Sequence, residues 1–176
     1  MIPAQLILDE LLRVGVTDVL GIPDNAAKSL LDRLAVEPRI RLLTVTREGE
    51  AFAIASGLWI GGRTPVVVIQ NTGLLESGDA LRGTAMRMRV PLLCLVTCRG
   101  FARLEASGVV PPHDADRLSR TDLDSVALLT QPTLQAWGVP WETVEGAADV
   151  PRVGTAFRRA AEREQPVAVL VTRETT

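Results

Sequence analysis

A doubly wound α/β domain, with a mainly parallel sheet of about six strands flanked by helices, is the architecture that this sequence predicts. Three observations lead there. Stretches with helical apolar spacing alternate with short β-branched runs along the chain, the pattern of a parallel sheet with helical crossovers rather than of separate helical and sheet blocks. Two of the runs, TPVVVIQ (64–70) and VPLLCLVTC (90–98), are apolar at successive positions, as expected of central strands covered on both faces. Finally, 176 residues, 47% of them hydrophobic, with no internal repeat, linker or low-complexity tract, suit one domain with a sizeable core.

The elements follow in order. Pro3 opens an amphipathic helix whose apolar face includes Leu6, Ile7, Leu11 and Leu12, and Gly15 ends it. The strand TDVLGI (17–22) is broken by Pro23, Asp24 and Asn25, and a helix resumes over AAKSLLDRLA (26–35). A second strand, RIRLLTVT (39–46), runs into Glu48, after which Ala51, Ile54, Ala55 and Leu58 mark a helix closed by Gly61 and Gly62. The strand TPVVVIQ precedes a helix over 76–88, and VPLLCLVTC is the fourth strand. Residues 99–124 show no period and concentrate Gly, Pro, Asp and Arg, which predicts a long surface loop. A helix at 132–137, the strand WETV (141–144), a helix at 150–164 and a last strand, PVAVLVT (166–172), complete the chain.

Composition excludes several functions. A net charge of −2 lacks the basic footprint of a nucleic-acid binder. The apolar runs are about half the ~18–20 residues a membrane-spanning helix needs, and the N-terminal segment carries acids and no basic leader, so the expected location is cytoplasmic. Cys94 and Cys98 lie on one face of a strand, too far apart to bridge, and read as small core residues. With one histidine in the chain, a metal site would lack ligands. No GxxxxGK[ST] loop, GxGxxG turn or GxSxG elbow is present, which disfavours nucleotide hydrolysis, nicotinamide binding and a hydrolase triad.

In an open α/β sheet, ligands bind beyond the carboxyl ends of the strands, and this chain concentrates its unusual polar residues there. The only two asparagines, Asn25 and Asn71, follow the first and third strands, and the only lysine, Lys28, stands in the turn after Asn25. Glu48 follows the second strand, Arg99 the fourth, and His113 lies beyond. Each has a structural alternative. Asp24 and Asn25 suit a helix cap, Glu48 or Glu50 complements a helix dipole, and Lys28 and His113 suit an ordinary surface.

The segment TREGEAFAIASGLWIGG (46–62), preceded by VGVTDVLGIPDNAAKSLL and followed by TPVVVIQNTG, resembles the pyrimidine-binding domain of thiamine diphosphate enzymes. Within that family it is similar to the phosphonopyruvate decarboxylases and the alpha subunits of sulfopyruvate decarboxylases. The family's glutamate, nine residues before a helical glycine, corresponds to Glu48 and Gly57. Its G-x-P-D-[SN]-x-x-K turn corresponds to Gly21, Pro23, Asp24, Asn25 and Lys28. Its Q-N-S-G-L-G-N loop corresponds to Gln70, Asn71, Thr72, Gly73 and Leu74. PLLCLVTCRG and LQAWGVPWETV extend the likeness over nearly the whole chain, 1–176.

The resemblance implies that Glu48 hydrogen-bonds the aminopyrimidine ring and favours the form that removes the thiazolium proton, with Glu50 off-register for that role. It implies contacts to thiamine diphosphate from Pro23, Gln70, Asn71, Thr72 and Gly73. It also implies contacts from Asp24, Asn25, Lys28, Asn71, Arg99 and His113 to a small 2-oxo acid such as sulfopyruvate or phosphonopyruvate, with Arg47 a further candidate cation. The family's GDG motif, which holds magnesium and the diphosphate, has no counterpart beyond Gly78, Asp79 and Ala80. The chain is therefore expected to be the small alpha subunit of a split decarboxylase, with magnesium held by a separate beta subunit in a hetero-oligomer. A carboligase subunit of the acetolactate synthase kind and a noncatalytic regulatory module are the alternatives. Leu75 and Glu76 depart from the family's glycine and asparagine, adding bulk and negative charge near the expected site.

Overall fold

The computed structural model describes residues 1–109 and 115–176. It has the expected architecture, a six-stranded sheet of order β2-β1-β3-β4-β6-β5 in which every pairing is parallel.

The first helix, α1 (Ala4–Arg13), buries Ala4, Ile7, Leu8 and Leu11. Leu6, expected on that face, is 39% exposed, because the buried stripe is centred on the Ile7–Leu11 row, which leaves Leu6 at its edge. Pro3 is the residue just before the helix, and Gly15 turns the chain at φ +79°. Then come β1 (Asp18–Gly21), α2 (Lys28–Val36), β2 (Arg41–Thr44), α3 (Glu48–Ile60) and β3 (Pro65–Gln70). Of the residues expected inside α3, Ala51 and Ala55 are buried with Phe52 and Ser56, but Ile54 is 44% exposed.

The chain after β3 departs from expectation. Instead of a loop and a helix from 76, α4 (Asn71–Glu76) begins directly at the strand end, followed by the short α5 (Gly78–Ala80) and a π-helical stretch, Leu81–Met86. Hydroxyls explain the irregularity: Ser77 Oγ donates to Leu74 O at 3.0 Å and Thr84 Oγ1 to Ala80 O at 2.5 Å, competing with the regular ladder. At Gly78 a Cβ would lie 2.7 Å from the Trp137 ring, so the break is where that indole packs.

After β4 (Leu93–Thr97), the expected loop 99–124 contains α6 (Phe101–Ser107) and α7 (Ala115–Leu118). Gly100 at φ +82° starts the turn and Phe101, 7% exposed, anchors α6 to the core. One buried aromatic in a polar run carries no periodic signal. The helix expected at 132–137 is α8 (Ser125–Ala136), started by Asp124, whose carboxylate accepts from Val126 N at 3.1 Å, with Pro132 inside it. Proline suits a first turn, but burial of Ala127, Leu128 and Leu134 holds the helix through it. The chain closes with β5 (Trp141–Val144), α9 (Pro151–Arg163) and β6 (Val167–Val171).

Alternation along the strands divides the core in two. Val66, Val68, Leu93 and Leu95 pack with α1, α2 and α9, and Val67, Ile69, Cys94 and Val96 pack with α3, α4 and α8. Both cysteines are free and buried. Among the described residues no helix is long and apolar enough to cross a membrane.

Candidate active site

The chain leaves β1 towards β2 on one side of the sheet and returns across it to β3 on the other side. The strand order therefore reverses between β1 and β3, where a crevice opens beyond their carboxyl ends.

Side chains from three strand ends meet there. The Asp24 carboxylate accepts from Gln70 Nε2 at 3.0 Å and from Thr97 Oγ1 at 2.5 Å, and Gln70 Oε1 accepts from Thr72 Oγ1 at 2.9 Å. Asp24 thus braces β3 and β4 and does not cap α2, whose cap position is Ala27 with no side-chain bond. Thr97 was not among the expected site residues. Its signal is register: it pairs with Gln70, so two polar residues end two adjacent apolar strands together.

Asn71 is fully buried. Its Nδ2 donates to Arg99 O at 3.0 Å and Thr130 Oγ1 at 3.3 Å, and its Oδ1 accepts from Arg99 N at 3.2 Å. The amide is thus used in fixing the turn after β4. Arg99 itself pairs with Asp124 at 3.0 Å but stays 66% exposed. Asp24, Asn25, Gln70, Arg99 and Arg103 line an open hollow of about 660 Å³. Pro23 and Lys28 face an adjoining hollow of about 360 Å³, sharing only Asp24 and Asn25 with the first, and Lys28 Nζ bonds Asp32 at 2.5 Å. The structure therefore brings Asp24, Asn25, Gln70 and Arg99 together and sets Lys28 apart. His113 lies outside the described residues.

Three carboxylates surround the start of α3, and two are used structurally. Glu50 accepts from Thr46 N at 3.0 Å, Thr46 Oγ1 at 2.8 Å and Arg47 N at 3.3 Å. These bonds, with Thr46 foremost, hold its pKa below the usual carboxylate range. Glu76 accepts from Arg47 Nη2 at 2.5 Å and from Gly49 N at 3.2 Å. Its charge is matched by Arg47, which is consequently engaged and not a free cation. Glu48 is different. It is half-buried, and among the described residues its carboxylate has no hydrogen bond or ion pair. It lies across Gly73, where an added Cβ would stand 2.2 Å from Glu48 Cγ and 2.4 Å from Oε1.

The arrangement presents a carboxylate without a protein hydrogen bond among the described residues at a helix start, against Gly73 and outside the lining of both hollows. Such a carboxylate is suited to a ring N–H donor from a ligand, where a charge-assisted bond is strong. Among the described residues no group of three or more His, Cys, Asp or Glu is placed to hold a metal ion.

Comparison with known proteins agrees with this geometry. The family described as "Thiamine pyrophosphate enzyme, N-terminal TPP binding domain" matches residues 1–120. A phosphonopyruvate decarboxylase of Streptomyces viridochromogenes is 38% identical over 100 residues, 57% of this chain and 25% of that protein. A sulfopyruvate decarboxylase subunit alpha of Methanococcus maripaludis is 28% identical over 108 residues, covering 61% of this chain and 65% of the relative. One of Methanothermobacter thermautotrophicus is 29% identical over 86 residues, 49% of this chain and 52% of the relative. The chain thus matches a quarter to two thirds of the length of these relatives.

Proposed function

This chain belongs to the family of N-terminal TPP binding domains of thiamine pyrophosphate enzymes, and on that premise we propose that it is the small alpha subunit of a split thiamine diphosphate-dependent 2-oxo acid decarboxylase. In this reading the chain is the pyrimidine-binding domain alone. Magnesium and the diphosphate are held by a separate beta subunit, and the substrate is a 3-substituted pyruvate that gives an aldehyde and CO2. The observation that carries the reading is Glu48, a carboxylate without a partner among the described residues, seated against a glycine that leaves it room. The relatives' names support decarboxylation, and the name "subunit alpha" supports a partner chain.

The residues suit the cofactor. Glu48 would hold a proton at the pyrimidine ring, and Gln70, oriented by Asp24 and Thr72, keeps one amide N–H for a ligand in the larger hollow that it lines. Thiamine diphosphate, when bound, supplies the electron sink that loss of CO2 from a 2-oxo acid requires. Arg99, two-thirds exposed on the wall of the hollow, would bind a substrate carboxylate by exchanging Asp124 for it. Asn71 would position Arg99 through the backbone bonds described above. The ion pair of Glu76 with Arg47 reduces the repulsion its sequence position suggests for an anionic substrate.

The test is to co-express the chain with a diphosphate-binding subunit, titrate thiamine diphosphate and magnesium by calorimetry, and screen 2-oxo acids. Binding by the pair with release of an aldehyde is the expected result, and Glu48→Gln should lower turnover by about 100-fold or more. A larger hydroxyketone as product would indicate carboligation, and failure of the pair to bind the cofactor would overturn the proposal.

A further inference from the structure

A third hollow, of about 280 Å³, lies between α6 and α8, past the carboxyl ends of β5 and β6. Only α6 separates it from the larger hollow: Phe101, Leu104 and Glu105 line the one and Ala102 and Arg103 the other, with Thr172 the single residue common to both. Phe101, Leu104, Leu128 and Pro132 form its apolar walls. A concave, mostly apolar hollow with a few polar groups is the usual form of a small-molecule site, and this one falls just under the common range of about 300–1,000 Å³, which suits a compact ligand rather than a nucleotide or a peptide.

The polar groups on the wall decide which ligand. Glu145 follows β5, and among the described residues its carboxylate has no hydrogen bond or ion pair. The side-chain amide of Gln131 and the hydroxyl of Thr143 are likewise without a bond among the described residues. Trp141 packs in the same layer as Phe101, and alternation along β5 turns Thr143 the same way. The second carboxylate on the wall, Glu105, is matched by Arg173 at 2.9 Å. No Lys, Arg or His is among the described residues that line the hollow.

We propose that this hollow binds a small primary amine with an apolar body. An ammonium group offers three N–H donors and no acceptor, and the wall offers the Glu145 carboxylate, the Gln131 amide oxygen and the Thr143 hydroxyl as acceptors. The apolar body packs on Phe101, Leu104, Leu128 and Pro132. An anion would meet two carboxylates with no lining cation of its own, so the site selects by charge as well as by shape. Neither Glu48 nor Gln70 lines the hollow, so binding there is independent of the proposed activity.

Calorimetry on the whole chain tests this with three probes that share one apolar body: 2-phenylethylamine, 2-phenylethanol and 3-phenylpropanoate. The amine is expected to bind once per chain with a dissociation constant of about 1 mM or below, the alcohol about 5-fold more weakly, and the acid not at all at the same concentrations. Glu145→Gln should weaken the amine by about 5-fold or more and leave the alcohol and the melting temperature unchanged, since the carboxylate has no partner to lose. Glu162→Gln, an exposed position on α9, should leave all three probes as in the wild type. No saturable binding of the amine, equal binding of the three probes, or the same effect of Glu145→Gln and Glu162→Gln on the amine would each overturn the proposal.

Discussion

At Gly73 and Glu48 a single missing methyl decides where a carboxylate stands. The 2.2 Å approach of an added Cβ to Glu48 Cγ involves a flexible, half-exposed side chain, so Gly73→Ala is expected to displace Glu48 and leave the fold intact. Under the proposed activity, thermal melting should change little, while turnover falls by about 100-fold, since displacement of a catalytic group by about 1 Å has that effect. Unchanged turnover would show that Glu48 need not lie there. Asp18 is the opposite kind of residue, fully buried at the amino end of β1. Burial raises its pKa, but hydrogen bonds from Arg63, Thr17 and Arg41 outweigh that and the net shift is downward. Its stabilising contribution is therefore full above the unfolded carboxylate pKa of about 3.9 and is lost as pH falls through the lower folded value. Asp18→Asn should cost about 2 kcal/mol at neutral pH, both arginines being about half exposed. The gap between variant and wild type in urea titrations should close below about pH 4. That carboxylates stand at the start of α3 was legible in the sequence; the roles of Glu50 and Glu76 were not, because their partners Thr46, Arg47 and Gly49 are set by how helix starts meet.

Among the elements, α3 carries the most. Its amino end is tied by Glu50 to the backbone of Thr46 and Arg47, so Glu50→Ala should cost about 1 kcal/mol, read as a melting temperature lower by about 2–4 °C. An unchanged melting temperature would mean that the bonds are replaced by water. Elements with strong periods, such as α1 and α9, and the apolar strands could be read from the sequence. Those shaped by one contact could not. The early start of α4 at Asn71, the helix α6 anchored by Phe101, and the continuation of α8 through Pro132 all depend on tertiary packing that local propensity does not contain. Ile54 shows the same limit from the other side: helical spacing marked it as core, yet the sheet is already covered by Phe52 and its neighbours, and Ile54 turns outward.

Over the whole molecule, the two apolar layers share one sheet, so neither can open without exposing the other. Calorimetry of the chain alone should show one cooperative transition with a heat-capacity increase of about 2–2.5 kcal/mol/K; two separated transitions would show that the layers melt independently. The doubly wound architecture and the position of the crevice followed from the alternation of the sequence, whereas the wiring inside the crevice depended on register, as in the pairing of Gln70 with Thr97. Cys94, inside β4, has a practical use. That strand lies between β3 and β6, and burial both covers the Cys94 thiol and raises its pKa, so with Cys98, which lines the open hollow, replaced by serine, a disulfide reagent reaches a thiol only when the sheet opens. When reagent is in excess and modification outruns reclosure, the rate of colour release becomes the rate at which the centre of the sheet comes apart, a clock for the lifetime of the native state read from a native residue.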